Sequence, residues 1–363
     1  MKKILVAYIM DGKAGGIDRY LLNVFEQSKG EFKIDFLTNK VRIDLKKYLE
    51  ENGSNLFEVP NLNHPISQFK KIKDIIKSNN YDMVYFNIST AIMFPGVLAA
   101  KTAQVKKIII HSHSTGFDCV NKYKRKTFEF AHKICSKFLY KFGTDFYACS
   151  KPAGEWMFPK KIVNSNQFKV INNAIDTEKF AFNPKKRISV RQKLGLENFF
   201  VIGHMGNFLY QKNHKFLIEL FKQYLDFNNM AKLILVGDGP LELEIKQMAI
   251  DYKIQDKVIF AGRQSNNQDY FQAMDIFLLP SHFEGFGIVA LEAQCSGLPC
   301  IISDSVPNQV AVTEKCKFIS IDDKEKWVKA IIDFENYKRE DGSKLLLEAG
   351  FELKNQNIKT ILS

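Results

Sequence analysis

The 363 residues exceed what one hydrophobic core usually serves, so two domains of roughly 170 residues each are expected. A composition of 45% hydrophobic, 25% charged and 13% aromatic residues excludes a disordered chain, a collagen-like repeat and a disulfide miniprotein. The net charge of +12 is uneven: residues 1–200 hold 34 Lys+Arg against 18 Asp+Glu, residues 201–363 hold 18 against 22. Either the first half faces a polyanion, nucleic acid or an anionic membrane, or the chain is simply lysine-rich.

In chain order, short apolar runs alternate with amphipathic stretches. Strands are predicted at 3–9, 33–37, 56–59, 83–86, 107–110, 146–148 and 169–171, with helical spacing at 17–28 and 66–77. Lys2 and Lys3 ahead of residues 4–10 imitate a signal peptide, but Asp11 and Lys13 follow at once, and a first strand fits better. Further strands follow at 199–203, 233–236, 258–260, 276–279 and 300–302, with helices at 214–224, 241–250 and 287–295. Strand–helix alternation in two copies predicts two parallel sheets covered by helices. The polar, basic stretch 183–191 reads as the linker. No run reaches the ~18 apolar residues of a membrane helix. Six cysteines without a C-x-x-C pair suit buried thiols in a reducing cytoplasm.

In such sheets ligands bind beyond the strands' carboxyl ends. The first turn, Asp11-Gly-Lys-Ala-Gly15-Gly16, lacks the G-x-G-x-x-G spacing, which argues against NAD. It still permits close backbone approach to an anion. The informative stretch is Pro280-Ser-His-Phe-Glu-Gly-Phe-Gly-Ile-Val-Ala-Leu-Glu-Ala-Gln-Cys-Ser-Gly-Leu-Pro-Cys300. There a strand ends in a turn whose glycines, Gly285 and Gly287, free backbone N–H groups for a ligand, and a helix N-terminus offers positive potential to phosphate. Glu284 in the turn and Glu292 on the helix suit accepting hydrogen bonds from sugar hydroxyls on either side of a diphosphate. The pair His111 and His113 also suggests a metal site, but no third ligand lies near them and His132 falls on another element. No D-x-D and no P-loop occur, against metal-dependent diphosphate binding and against a P-loop kinase or ATPase. Neither an RNA-binding aromatic motif nor zinc-finger spacing supports nucleic acid as a partner.

At Glu284 and Glu292 the sequence resembles the E-x7-E motif of the retaining GT-B glycosyltransferases of glycosyltransferase family 4, in their bacterial capsule and exopolysaccharide branch. Residues 170–180, 203–214, 235–240 and 258–263 resemble further family segments in the same order, so the resemblance spans nearly the whole chain. It implies an α/β GT-B fold: an acceptor-side Rossmann-like domain at 1–182, a nucleotide-sugar domain at 183–350 across a cleft, and a helix at 351–363 returning to the first domain. It further implies that Glu292 binds the nucleotide ribose and Glu284 the donor sugar. Phe286, Gly287 and Ile288 then offer backbone amides to sugar and diphosphate, Lys212 neutralises the leaving diphosphate, and Gly262 and Arg263 border the base. Gly15 and Gly16 belong to the donor site, and His113, preferred over His111, touches the sugar near the reacting centre. Asn207 stands where most of the family carries arginine, so either Arg19, Lys13 or Arg263 compensates or phosphate binding is weaker.

The activity this implies is retaining, metal-independent hexose transfer from a nucleotide diphosphate sugar, commonly of uridine, to a glycan or lipid-linked acceptor, with no cofactor. A non-catalytic nucleotide-sugar-binding subunit is the alternative. A cytoplasmic location is expected, with docking on the inner face of the membrane through residues 121–143. This stretch carries Lys122, Lys124, Arg125, Lys126, Lys133, Lys137 and Lys141 among six aromatic side chains. Either those aromatics pack on the sheet and leave the lysines alone outside, or Phe130, Ile134, Lys137, Phe138 and Lys141 share one outward side.

Overall fold

The computed structural model describes residues 1–10, 16–356 and 361–362. These fold as two compact units. One comprises residues 1–117 and 121–173 with Ile361 and Leu362; the other comprises residues 118–120 and 174–356.

The first unit is built on seven parallel strands: β1 (Lys2–Ala7), β2 (Phe32–Thr38), β3 (Leu56–Glu58), β4 (Met83–Ile88), β5 (Lys107–Ser112), β6 (Asp145–Ala148) and β7 (Phe168–Val170). Their order is β3-β2-β1-β4-β5-β6-β7, so the winding reverses between β1 and β4. One sheet face packs Leu5, Val84, Phe86, Ile108 and Ile110 against helix residues such as Ile72 and Val97; the other packs Ile4, Val6, Tyr85 and Ile109 against Leu21 and Phe25. Burial on both faces explains why the strands read as continuous apolar runs rather than as alternation. Ile361 and Leu362 are buried in the second of these cores.

The second unit holds β8 (Phe200–Met205), β9 (Ala231–Val236), β10 (Val258–Gly262), β11 (Ile276–Leu279), β12 (Cys300–Ser303) and β13 (Cys316–Ile319). The order is β10-β9-β8-β11-β12-β13, all parallel, and reverses between β8 and β11. All twelve expected strands form. β13 was not foreseen, because Cys-Lys-Phe-Ile is a short edge strand with every residue only half buried.

The expected linker at 183–191 is instead a helix, Pro184–Leu194. Asn183 caps it through the Lys186 N–H, Pro184 opens it and Gly195 closes it in the left-handed region. It is anchored, not free: Arg191 donates to Asp275 at 3.0 Å and to the Ala273 carbonyl at 2.9 Å, and Arg187 also reaches Asp275 and the Met274 carbonyl. Asp275 accepts the Val201 N–H at 2.7 Å as well, tying the helix to the starts of β8 and β11. The chain enters the second unit at Ala174 rather than at 183, and leaves it after Gln356 rather than at 350. The expected helix at 351–363 does not begin where predicted. Glu352 pairs with Ile175 in an isolated parallel bridge and Leu353–Asn355 is a single 3-10 turn. Glu352 is fixed there by the Thr177 N–H at 3.1 Å and the Lys354 N–H at 3.0 Å. Residues 357–360 and 363 lie outside the described residues.

The helix Lys122–Leu139 turns His132 and Leu139 inward. Its outer side is open: Tyr123, Phe130, Ile134 and Phe138 are 84%, 67%, 44% and 49% exposed, beside exposed Lys133 and Lys137. Tyr140 and Phe142, past its end, pack on the core. The outward-facing alternative is therefore the one that forms. Among the described residues no helix is long and apolar enough to cross a membrane.

Candidate active site

In α/β folds ligands bind at the strand ends flanking the reversal of winding, which in the second unit falls between β8 and β11. There lie the turn after β8 (Gly206 to Asn213) and the turn after β11 (Pro280 to Gly287). The two are laced together. His282 N–H donates to the Gln211 carbonyl at 2.9 Å, Asn213 Nδ2 donates to the Pro280 carbonyl at 3.2 Å, and Tyr210 stacks on His282 at 4.3 Å.

Glu284 sits where they meet and is 5% exposed. Its carboxylate accepts from Lys212 Nζ at 2.6 Å, Ser281 Oγ at 2.7 Å and Gln211 Nε2 at 2.9 Å. Neither Ser281 nor Gln211 was foreseen; a turn polar residue beside a glutamate and the neighbour of a lysine carry no distinguishing spacing. Lys212 ends the short turn Tyr210–Lys212, and its stem passes Gly206, where a Cβ would lie 3.0 Å from the lysine Cδ. The Leu235 to Pro240 stretch owes its glycines to the same region. Gly237 and Gly239 have φ of +145° and +154°, and a Cβ on either would meet the backbone of Gly206 or Phe208 within 2.7 Å. That approach lets Phe208 N–H donate to the Asp238 carbonyl at 2.8 Å, which holds the turn bearing half-buried Asn207.

Gly287, at φ +99°, opens the helix Ile288–Cys295 without a side-chain cap; the Ala290 N–H turns back to the Gly287 carbonyl at 2.9 Å, and the Ile288 and Val289 N–H groups before it have no preceding helical turn to bond to. Glu292 lies on that helix and is 3% exposed, as expected of a residue among Leu291, Ala293 and Cys295. Phe286 is buried beside Phe351, rings 5.8 Å apart. Gly262, at φ +64°, ends β10, and its carbonyl accepts the Gly237 N–H at 3.0 Å; Arg263 beyond it is exposed. Thus Lys212, Glu284 and the 287–292 helix start come together, with Asn207 and Gly262 on adjacent turns of the same sheet.

In the first unit His113 follows β5 and is half buried, with Nε2 2.9 Å from Asn87 Oδ1. Burial pushes its imidazolium pKa down to about 3. His111 is wholly buried, more so than expected, with Nδ1 2.5 Å from Tyr85 Oη, which lies 2.7 Å from Tyr20 Oη. His111 is thereby a core residue, whereas His113 is only half buried. His132 accepts the Ala91 N–H on Nδ1 at 3.1 Å and donates from Nε2 to the Trp156 carbonyl at 2.8 Å, which leaves it no lone pair for a metal. Among the described residues no three His, Cys, Asp or Glu side chains are grouped to hold a metal ion. Gly16 begins the helix Gly16–Ser28; Gly15 and Lys13 lie outside the described residues.

Two Rossmann-like parallel-sheet units, with a carboxylate–lysine pair and an uncapped helix start at one reversal point, define an α/β protein of the GT-B class. The chain belongs to the glycosyltransferases: residues 14–179 match the family described as Glycosyltransferase Family 4 and residues 186–349 match Glycosyl transferases group 1. Over 84% of this chain and 80% of its own length, EpsF of Bacillus subtilis (strain 168), named as a glycosyltransferase, is 30% identical. The UDP-Gal:alpha-D-GlcNAc-diphosphoundecaprenol alpha-1,3-galactosyltransferase of Escherichia coli is 30% identical over 91% of this chain and 87% of its own. Among solved structures, Anabaena HepE in complex with UDP and glucose superposes with a TM-score of 0.79, covering 100% of this chain and 99% of that one at 19% identity. The chain is a transferase that moves glycosyl groups.

Proposed function

We propose that this glycosyltransferase moves a hexose from a UDP-sugar to a sugar hydroxyl of a lipid-linked acceptor in capsule, exopolysaccharide or O-antigen synthesis, with retention and without a metal ion or cofactor. The observation that carries the reading is the Lys212–Glu284 pair beside the uncapped start of the helix that bears Glu292. A diphosphate needs cations and N–H donors, and Lys212 with the amides of Gly287 and Ile288 is such a set. Sugar and ribose hydroxyls need acceptors, and Glu284 and Glu292 are buried carboxylates, one just before that helix and one within it. Bond breaking at the anomeric carbon moves negative charge onto the leaving phosphate, which Lys212 stabilises in a site with little water. The departing phosphate oxygen then takes the acceptor's proton on the same face, so the protein's part is positioning and charge stabilisation. Supporting the donor and acceptor class, the Escherichia coli relative is named for UDP-Gal and a diphosphoundecaprenol acceptor, and a Staphylococcus aureus relative for capsular polysaccharide biosynthesis.

The outward side of the helix Lys122–Leu139, with Tyr123, Phe130, Ile134 and Phe138 exposed among lysines, supports docking on an anionic membrane where such an acceptor is presented. A screen of nucleotide sugars by thermal shift, then transfer assays with and without EDTA, tests the reading. The cognate donor at ~100 times its dissociation constant stabilises the fold by about 2.7 kcal/mol, and turnover survives EDTA. No shift with any nucleotide sugar, or turnover lost to EDTA and restored by Mn²⁺, rejects it.

A further inference from the structure

A buried polar side chain near the end of β4 has no part in the scheme above. Asn87 is 3% exposed within the otherwise apolar run Met-Val-Tyr-Phe-Asn-Ile, where an unpaired amide would be costly. Its Nδ2 faces two backbone carbonyls, those of Ala7 and Tyr85, each at 3.4 Å. Carbonyl oxygens only accept, so the amide nitrogen must lie on that side and Oδ1 must face His113, 2.9 Å from its Nε2. Oδ1 also only accepts. The proton of a neutral His113 ring therefore resides on Nε2, and Nδ1 is the bare nitrogen.

The ring is held in that setting from other sides. His111 packs against it with centroids 4.0 Å apart, and Tyr20, from the helix Gly16–Ser28, lies 5.8 Å away. His111 is itself held by Tyr85, and Tyr85 by Tyr20. The His113 N–H also donates to the Ile88 carbonyl at 3.2 Å, which joins its backbone to the residue after Asn87.

We propose that Asn87 is a positioning residue that fixes His113 in the Nε2–H tautomer, so that the imidazole presents Nδ1 as a hydrogen-bond acceptor to a hydroxyl of the bound sugar. The second half of this statement rests on the reading of His113 as a sugar contact; the first half does not. A ring locked as an acceptor selects a sugar with a hydroxyl at that point over one lacking it, because a deoxy analogue leaves the nitrogen without a donor.

The test uses the full chain labelled with ¹⁵N-histidine and two-bond ¹H–¹⁵N correlation spectra, His113 being assigned by the signal lost in His113→Gln. The wild-type spectrum should show a protonated Nε2 and an unprotonated Nδ1. Asn87→Leu removes the acceptor, so the ring should become a mixture of tautomers while kcat falls on the order of tenfold and UDP affinity holds. Asn87→Asp keeps an acceptor and adds a charge. It should retain Nε2–H, and the acid limb of kcat should move to higher pH, since the neighbouring Tyr20 and His111 rings supply no compensating charge. A merely structural role would lower the melting temperature and move neither the tautomer nor the acid limb. An Nδ1–H ring in the wild type, or an unchanged tautomer in Asn87→Leu, overturns the proposal. If the tautomers behave as stated but His113→Gln turns over at the wild-type rate, the lock by Asn87 stands and the sugar contact is what fails.

Discussion

Lys212 and Glu284 lie 2.6 Å apart on two different turns, each little exposed, and in the proposed function each would contact the nucleotide sugar. The pair keeps the lysine stem and the carboxylate oriented before a ligand arrives. In the proposed function, donor binding would redistribute contacts that are already in place.

Replacing either partner should therefore disturb different steps. Lys212→Met should weaken UDP binding about tenfold, the loss of one charge-assisted contact. Glu284→Gln should leave UDP affinity nearly intact and lower turnover with the intact sugar donor. Glu292→Gln should behave like Lys212→Met, weakening UDP. The Lys212 and Glu284 changes should not add: a double-mutant cycle on melting temperature should give a coupling of roughly 0.5–3 kcal/mol. Wild-type UDP affinity and turnover in all three single variants would remove these residues from the site.

Asp275 binds two arginines of the helix Pro184–Leu194, which also reach backbone carbonyls, while Lys186 meets Asp269 at 3.2 Å. Asp275→Ala leaves Arg191, about one-tenth exposed, and Arg187 without their shared partner. The expected loss is about 3 kcal/mol, because a buried charge left uncompensated costs more than the pair contributes. Thermal unfolding of this variant measures it, and a loss below 1 kcal/mol would show that the helix is held by packing instead.

Acid should destabilise the fold from pH 6.5 downward. His111, His204 and His214 are at most 2% exposed, and burial lowers the pKa of all three, that of His204 to about 3. In the folded state these rings stay neutral, whereas in the unfolded chain they take up protons near pH 6.5. Above that pH both states hold them neutral, so they add no pH dependence. Below it, each contributes up to about 1.4 kcal/mol of destabilisation per pH unit. Urea midpoints between pH 7 and 5 should fall more steeply in the wild type than in His204→Phe; parallel curves would contradict the assignment.

Membrane docking has a separable prediction. Flotation with vesicles should require anionic lipid and weaken with added salt as the Debye length shrinks. It should drop when Phe130, Ile134 and Phe138, exposed on one side of their helix, become serine, and drop again when Lys122, Lys124, Arg125 and Lys126 become glutamine. Equal binding to neutral vesicles, or none to either, would reject it.

Much of this molecule was legible in the chain itself. Strands buried on both faces are written as plain apolar runs, and the helix 214–224 appears in its three- and four-residue spacing to the residue. The strand end, glycine turn and helix start across Glu284 to Glu292 were legible because glycines and a helix start are local requirements. The helix Pro184–Leu194 reads as a linker because its surface is basic and its partners are remote in the chain, Asp275 lying 84 residues from Arg191. Its Asn-Pro start and Gly195 end were the signals present. Ser281, Gln211 and Asn87 could not be found the same way. A hydrogen bond's partner across a sheet or between two turns depends on register, and β4 meets β5 so that Asn87 lies opposite His111, two residues before the histidine it holds. Local conformation and burial follow from neighbours in the chain, whereas the tautomer of His113 and the pairing of Lys212 with Glu284 were decided only when tertiary packing excluded water and brought distant polar atoms within bonding distance.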